Sequence, residues 1–231
     1  MELDMKAAMR LLQFTDSTFP VGTFSFSNGL ETAQFERIVN DAESLRAFTK
    51  SQAVQAAFSD GVAALISHRA FLEGDYDKVL EADAMLMRFK MNDEARLMLS
   101  RMGKKLAELA VKLFPSDEIV KHWLQDIRDG SAHGSYPVSQ GIAFAAAGID
   151  ARALFASSQY GVINMVLSAA LRCVKVSHYD TQEILFDLSE DVEKLYHRAA
   201  LMNIDDMRAF FPQLDIIASL HEKGNMRMFM N

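Results

Sequence analysis

Residues 93–114 read DEARLMLSRMGKKLAELAVKLF, and in them Ala95, Leu99, Met102, Leu106, Leu109 and Leu113 recur at alternating steps of four and three. That spacing lines six apolar side chains along one face of a helix and leaves Arg, Lys and Glu elsewhere. Pro115 follows directly and closes the helix. Packing into a core is the plain reading of such a stripe.

The same period extends outward in both directions. Residues 5–13 carry Met5, Met9 and Leu12 on one side. Asn28 is expected to start a helix to about Val39, exchanging hydrogen bonds with Glu31 in an Asn form of the capping box. Asp41 caps a long helix to about Leu72, with Leu45, Phe48, Val54, Phe58, Val62, Leu65 and Phe71 giving it a broad apolar face. Glu73-Gly74-Asp75 is a turn, and residues 76–90 form the next helix. Ser116 is expected to cap the helix that carries Trp123. Pro137 suits a first helical turn, and Gly148 an end. Asp150 caps a helix to about Val176. Residues 181–203 and 205–221 complete the chain. No window alternates apolar and polar residues with β-branched enrichment, and no repeat of fixed period is visible. The expectation is an all-α, single-domain bundle of about ten helices spanning residues 1–231.

Composition agrees. Half of the 231 residues are apolar, so the chain can bury a substantial core. Gly (11) and Pro (4) are scarce and Met (14) is abundant, which favours helix. The formal charge of −7, with no basic run longer than Lys104-Lys105, argues against a nucleic-acid partner. One cysteine, Cys173, permits neither an intrachain disulfide nor a cysteine cage for metal. No signal peptide is evident, and no stretch approaches the ~20 apolar residues that cross a bilayer. A cytoplasmic protein with no membrane contact is expected.

Chemistry-bearing patterns are sparse. The six histidines are scattered, and HExxH, the phosphate loop GxxxxGK[ST] and the GxSxG elbow are all absent. Ser25 or Ser27 could act as a nucleophile only if a histidine such as His133 and an acid came near. A metal would need three or four converging ligands, and His133, Cys173, His178 and His221 do not announce such a set. The chain does not read as an enzyme, and no cofactor is expected.

Three segments resist a pure core account. Residues 14–27, FTDSTFPVGTFSFS, mix Pro, Gly, hydroxyls and the rings of Phe19, Phe24 and Phe26. They either plug the core or stand at the surface as anchors. Residues 131–137, SAHGSYP, are small and polar. The tail closes on Arg227, Met228 and Phe229, residue types that supply binding energy.

These segments resemble the UreF family of urease accessory proteins. The opening match runs through Leu11, Leu12, Gln13, Phe14, Asp16, Ser17, Phe19, Pro20, Val21, Gly22, Phe24, Ser27, Gly29, Leu30 and Glu31. A second is carried by His133, Pro137, Val138 and Gly141, and a third by His221, Glu222, Arg227, Met228 and Phe229. Two departures stand out. Phe26 sits where the family usually has His or Trp. The family segment R-x-V-P-[LF]-[GS]-Q-x-x-[GA]-Q is reduced to Arg172, Ser177, Asp180 and Gln182, with Lys175 at the Pro position and His178 at the first Gln.

The resemblance implies an all-α protein, commonly dimeric, that catalyses nothing itself. It implies a partner, UreD or UreH, then recruitment or modulation of the GTPase UreG, in an assembly that supports nickel insertion into apo-urease. Partner contacts are expected at Phe19, Pro20, Gly22, Phe24, Ser27, Glu31, His133, Arg172, Gln182, Arg227 and Phe229. Phe24 and Arg227 are expected to lie close together, and Tyr160 at or beside a homodimer axis. The rivals are a serine hydrolase using Ser25 or Ser27 with His133, and a direct nickel-binding chaperone.

Overall fold

A computed structural model describes residues 4–16, 18–22, 26–208 and 211–221, the side chains of Asp215 and His221 excepted. Among the described residues the chain is helical throughout, without a strand. The helices are α1 (Met5–Thr15), α2 (Leu30–Phe35), α3 (Ala42–Phe58), α4 (Asp60–Glu73), α5 (Tyr76–Phe89), α6 (Asp93–Leu113), α7 (Glu118–Asp129), α8 (Tyr136–Ala146), α9 (Ala151–Cys173), α10 (His178–Ser189), α11 (Val192–Ala199) and α12 (Pro212–His221). A 3₁₀ turn, Ile204–Asp206, precedes α12.

At the centre, α4 packs on α8, and both are apolar on nearly every side, as a helix surrounded by others must be. Gly141 makes the contact possible. A Cβ there would lie 2.0 Å from Ser67 Oγ and 2.5 Å from the Ala64 carbonyl oxygen. Around this pair, Trp123, Phe144, Phe155 and Ile142 are fully buried in the main apolar cluster. The Trp123 indole N–H donates to Ser139 Oγ at 2.9 Å, so the large ring is buried without orphaning its one polar group. A second cluster joins Leu30, Leu45, Ile163, Leu167 and Ile184. A third, rich in methionine, holds Met87, Met98, Leu99 and Met102 around Phe26. Helix α9 runs through the first two, with Leu154 and Phe155 in one and Ile163, Val166 and Leu167 in the other.

Several elements differ from the sequence expectation, each for a local reason. The helix of 41–72 is broken into α3 and α4 at Ser59, which has a non-helical φ of −120° and ψ of −78°. Ser59 Oγ donates to the Gln55 carbonyl and to Asp60 Oδ2, offering the backbone an alternative to the helical ladder. The helix expected over 28–39 is only six residues long. Asn28 and Gly29 both take positive φ before it and Arg37 after it, so no Asn28–Glu31 capping box forms. Asp117, not Ser116, caps α7 by accepting from the Val120 amide. Along α6 the inward face carries Leu99, Met102, Leu106 and Ala110, while Leu113 is 43% exposed. A repeat of 3.5 drifts around a helix of 3.6 residues per turn, which rotates the last Leu outward. Contrary to expectation, α9 is long and apolar enough to cross a membrane by length and composition. Its buried face is covered by α3, α4 and the flanking helices, which suffices to explain that composition.

His68 of α4 is 5% exposed and its Nε2 lies 2.8 Å from the Ile149 carbonyl, tying α4 to the α8–α9 turn as a donor. Burial holds its pKa below the ordinary 6.5, outweighing the Ile149 bond and the nearby Asp150 charge. The folded state therefore gives up this proton more readily than the unfolded chain. Stability contributed by neutral His68 is present above about pH 6.5 and is lost as pH falls from there through the depressed folded pKa. His68→Gln should flatten the fall in melting temperature between neutral and mildly acidic pH. An unchanged acid slope would contradict this.

Candidate functional site

The segment joining α1 to α2 is folded inward at its ends. Phe14 is buried and contacts Phe144 and Phe19, each with ring centroids 5.3 Å away. Phe19 is half-buried against the main cluster, and Phe26 is 7% exposed in the methionine cluster. Two of the three rings thus act as plugs. Between them Pro20 and Gly22 are exposed, Gly22 at a φ of +90° that side-chain-bearing residues rarely adopt. Ser27 is fully buried at the entry to α2 and lies 3.5 Å from the Glu31 amide. Gln52 of α3 donates to the Asn28 carbonyl at 2.7 Å and fixes this entry from below. Phe24, Ser25, Arg227 and Phe229 lie outside the described residues, as does the expected Phe24–Arg227 proximity.

Behind this segment is a cavity of about 170 Å³. Phe14, Phe19 and Phe26 border it, Met98 and Met102 of α6 and Met165 of α9 add thioethers, and Tyr160 and Arg172 stand along the α9 side. The opening segment therefore shares one cavity with two other expected site residues, Tyr160 and Arg172. Tyr160 is 41% exposed and Arg172 is exposed. The opposite wall is polar. Lys90 Nζ donates to Asp60 Oδ2 at 2.5 Å, with side chains 17% and 12% exposed, and Ser59 donates to the same oxygen. Tyr136 also lines the cavity, and burial pushes its hydroxyl up to about 12. Ser157 Oγ reaches the cavity wall buried and without a hydrogen-bond partner. None of these wall residues was singled out by sequence reasoning, because they come from five helices far apart in the chain.

The bend 130–135 lies between α7 and α8. Gly130 and Gly134 have positive φ, and the amides of Gly130 and Ala132 both donate to the Asp126 carbonyl. Asp126 also accepts from the Tyr76 hydroxyl at 2.8 Å. Burial, then that bond, pushes the Tyr76 hydroxyl's pKa upward, so it remains a donor. The His133 side chain is exposed, whereas Gly134 and Ser135 are buried. Gln182 and His178 are exposed on α10, and Glu31 is half-buried on α2. Cys173 is half-buried, and burial, then the Glu31 charge, raises its thiol to about 11, far from a reactive thiolate. Among the described residues no group of three or more His, Cys, Asp or Glu is arranged to hold a metal ion.

The model of the UreF family matches residues 39–189 of this chain. The chain belongs to the UreF family. Relatives within the UreF family extend the likeness beyond that segment. A protein of Brucella canis named urease accessory protein UreF 2 is 45% identical over 223 residues, 96% of this chain and 91% of its own length. One of Yersinia pestis named urease accessory protein UreF is 41% identical over 223 residues, 96% of this chain and 97% of its own length. Both UreF relatives are named as accessory proteins and not as enzymes, which accords with the non-catalytic reading of the sequence.

Proposed function

We propose that this chain is a cytoplasmic urease accessory protein that acts as a scaffold in urease maturation. In this reading it binds UreD or UreH, recruits or modulates the GTPase UreG, and so helps deliver nickel to apo-urease, itself making and breaking no bond. The observation that carries it is the likeness to urease accessory proteins along 96% of the chain, which covers the opening segment, the bend and α9 alike. The cavity face gives it a physical basis. Exposed Pro20 and Gly22, the part-buried Phe19 and the charged Arg172 share one region with adaptable methionines, a surface suited to taking up a partner's apolar side chains. The aromatic segment, anchored at both ends by Phe14 and Phe26, is held in shape before binding, which lowers the entropic cost of association.

The contact residues in this reading are Phe19, Pro20, Gly22, Phe24, Glu31, His133, Arg172, Gln182, Arg227 and Phe229. Ser27 supports them from beneath the surface. Tyr160 stands beside the two-fold axis of a homodimer. The test is urease activation in cells that lack their own UreF and are supplied with this gene. The chain is expected to restore activity, and His133→Ala with Arg172→Ala to reduce it while the protein still accumulates in folded form. No restoration by an abundant wild-type chain would defeat the reading.

A further inference from the structure

Asp83 of α5 is 1% exposed, yet it carries a carboxylate. Its Oδ2 accepts from the His133 amide at 2.8 Å and the Gly134 amide at 3.1 Å, and its Oδ1 accepts from the Ser135 amide at 2.8 Å. Three successive amides converging on one anion form a backbone nest, a geometry that otherwise binds phosphate or carboxylate ligands. Gly134, at a φ of +71°, supplies the left-handed residue that turns consecutive N–H groups to the same side. The chain thus supplies its own ligand to its own nest, across fifty positions of sequence.

What the nest holds in place is functional surface. At its start the bend carries the exposed His133 side chain. At its end Ser135 leads directly into α8, whose first residues, Tyr136 and Pro137, line the cavity. Ser135 makes no side-chain cap to that helix, so the bend's register depends on backbone partners, and Asp83 takes the Ser135 amide.

We propose that Asp83 is the positioning residue of the partner-facing surface. Its carboxylate is the internal anion around which residues 133–135 are wound, and through them it sets both His133 and the Tyr136–Pro137 edge of the cavity. This rests on the reading that this face receives the accessory partner.

The experiment uses the full chain and three readouts: hydrogen exchange at amides 133–135, exchange in α9, and capture of purified UreD or UreH. Asp83→Ala should speed exchange at 133–135 about tenfold or more while α9 stays protected, and should lower capture. Formate, a carboxylate small enough for the vacated space, should restore both the slow exchange and the capture, and the neutral isostere formamide should restore neither. Asp83→Asn keeps the shape but turns an N–H toward three donors, and it should loosen the bend without formate rescue. Unchanged exchange at 133–135 would overturn the proposal. So would loosened exchange with capture intact, or global unfolding of both variants that formate does not reverse. A wild-type chain that captures no partner and activates no urease would instead sink the parent reading.

Discussion

Gly103→Ala is expected to destabilise the protein more than any other single-methyl addition in the chain. A Cβ at this position of α6 would lie 2.0 Å from the Gly134 carbonyl oxygen, 2.6 Å from the Ser135 carbonyl carbon and 2.7 Å from the Tyr136 amide nitrogen. All three are backbone atoms of the bend, so no rotamer change can make room. Either α6 moves or the nest around Asp83 opens. Overpacking of this kind costs roughly 1–3 kcal/mol and occasionally more. The helix-propensity gain of Ala over Gly, about 1 kcal/mol, offsets only part of a backbone clash. A net loss of about 2–3 kcal/mol would lower the melting temperature by roughly 4–12 °C for a domain of this size. Gly161→Ala on α9 is the internal control, because a Cβ there meets nothing within 4 Å. It should raise stability by roughly 0.5–1 kcal/mol. If both substitutions shift the melt in the same direction, close backbone approach is not what Gly103 provides.

The second large effect concerns the ion pair in the cavity wall. Lys90→Met would leave the Asp60 carboxylate, on a side chain only 12% exposed, without its cation. Breaking a buried pair by removing one partner costs roughly 3–5 kcal/mol. The low end applies here, because Ser59 still donates to Asp60 and the carboxylate sits in the first turn of α4, where the helix dipole favours a negative charge. The double variant Lys90→Met with Asp60→Asn should recover most of the loss, since no charge is then stranded. Urea unfolding of the wild type, both single variants and the double variant closes the cycle. A double variant no more stable than Lys90→Met would mean that Lys90 acts through its aliphatic stem rather than its charge.

Much of this fold is readable from sequence because its signals are local. The α6 stripe, the caps Asp41, Asp75 and Asp150, and the turns at Gly74 and Gly148 each depend on residues within one or two turns of one another. The misread elements are those where a neighbour intrudes. Ser59 diverts the ladder of a helix whose apolar pattern runs on unbroken. Leu30–Phe35 is short because Asn28, Gly29 and Arg37 take left-handed conformations that the spacing of apolar residues does not reveal. The candidate site is legible in part. The opening segment and the 131–137 bend attract notice by composition, but the cavity is assembled from five helices and has no sequence signature. Asp83 is invisible for the same reason. It looks like one more acid in KVLEADAML, and only the tertiary structure brings it to amides fifty residues away.

Helix α9 is threaded through two apolar clusters that share few other members, and its outer side borders the cavity. At ~1.5 Å per residue its 23 residues make a strut of about 35 Å. Whatever presses on the cavity end therefore loads both halves of the molecule at once. A guest seated there would stiffen distant helices as well as near ones, and neither half could melt while the other kept its side chains in register.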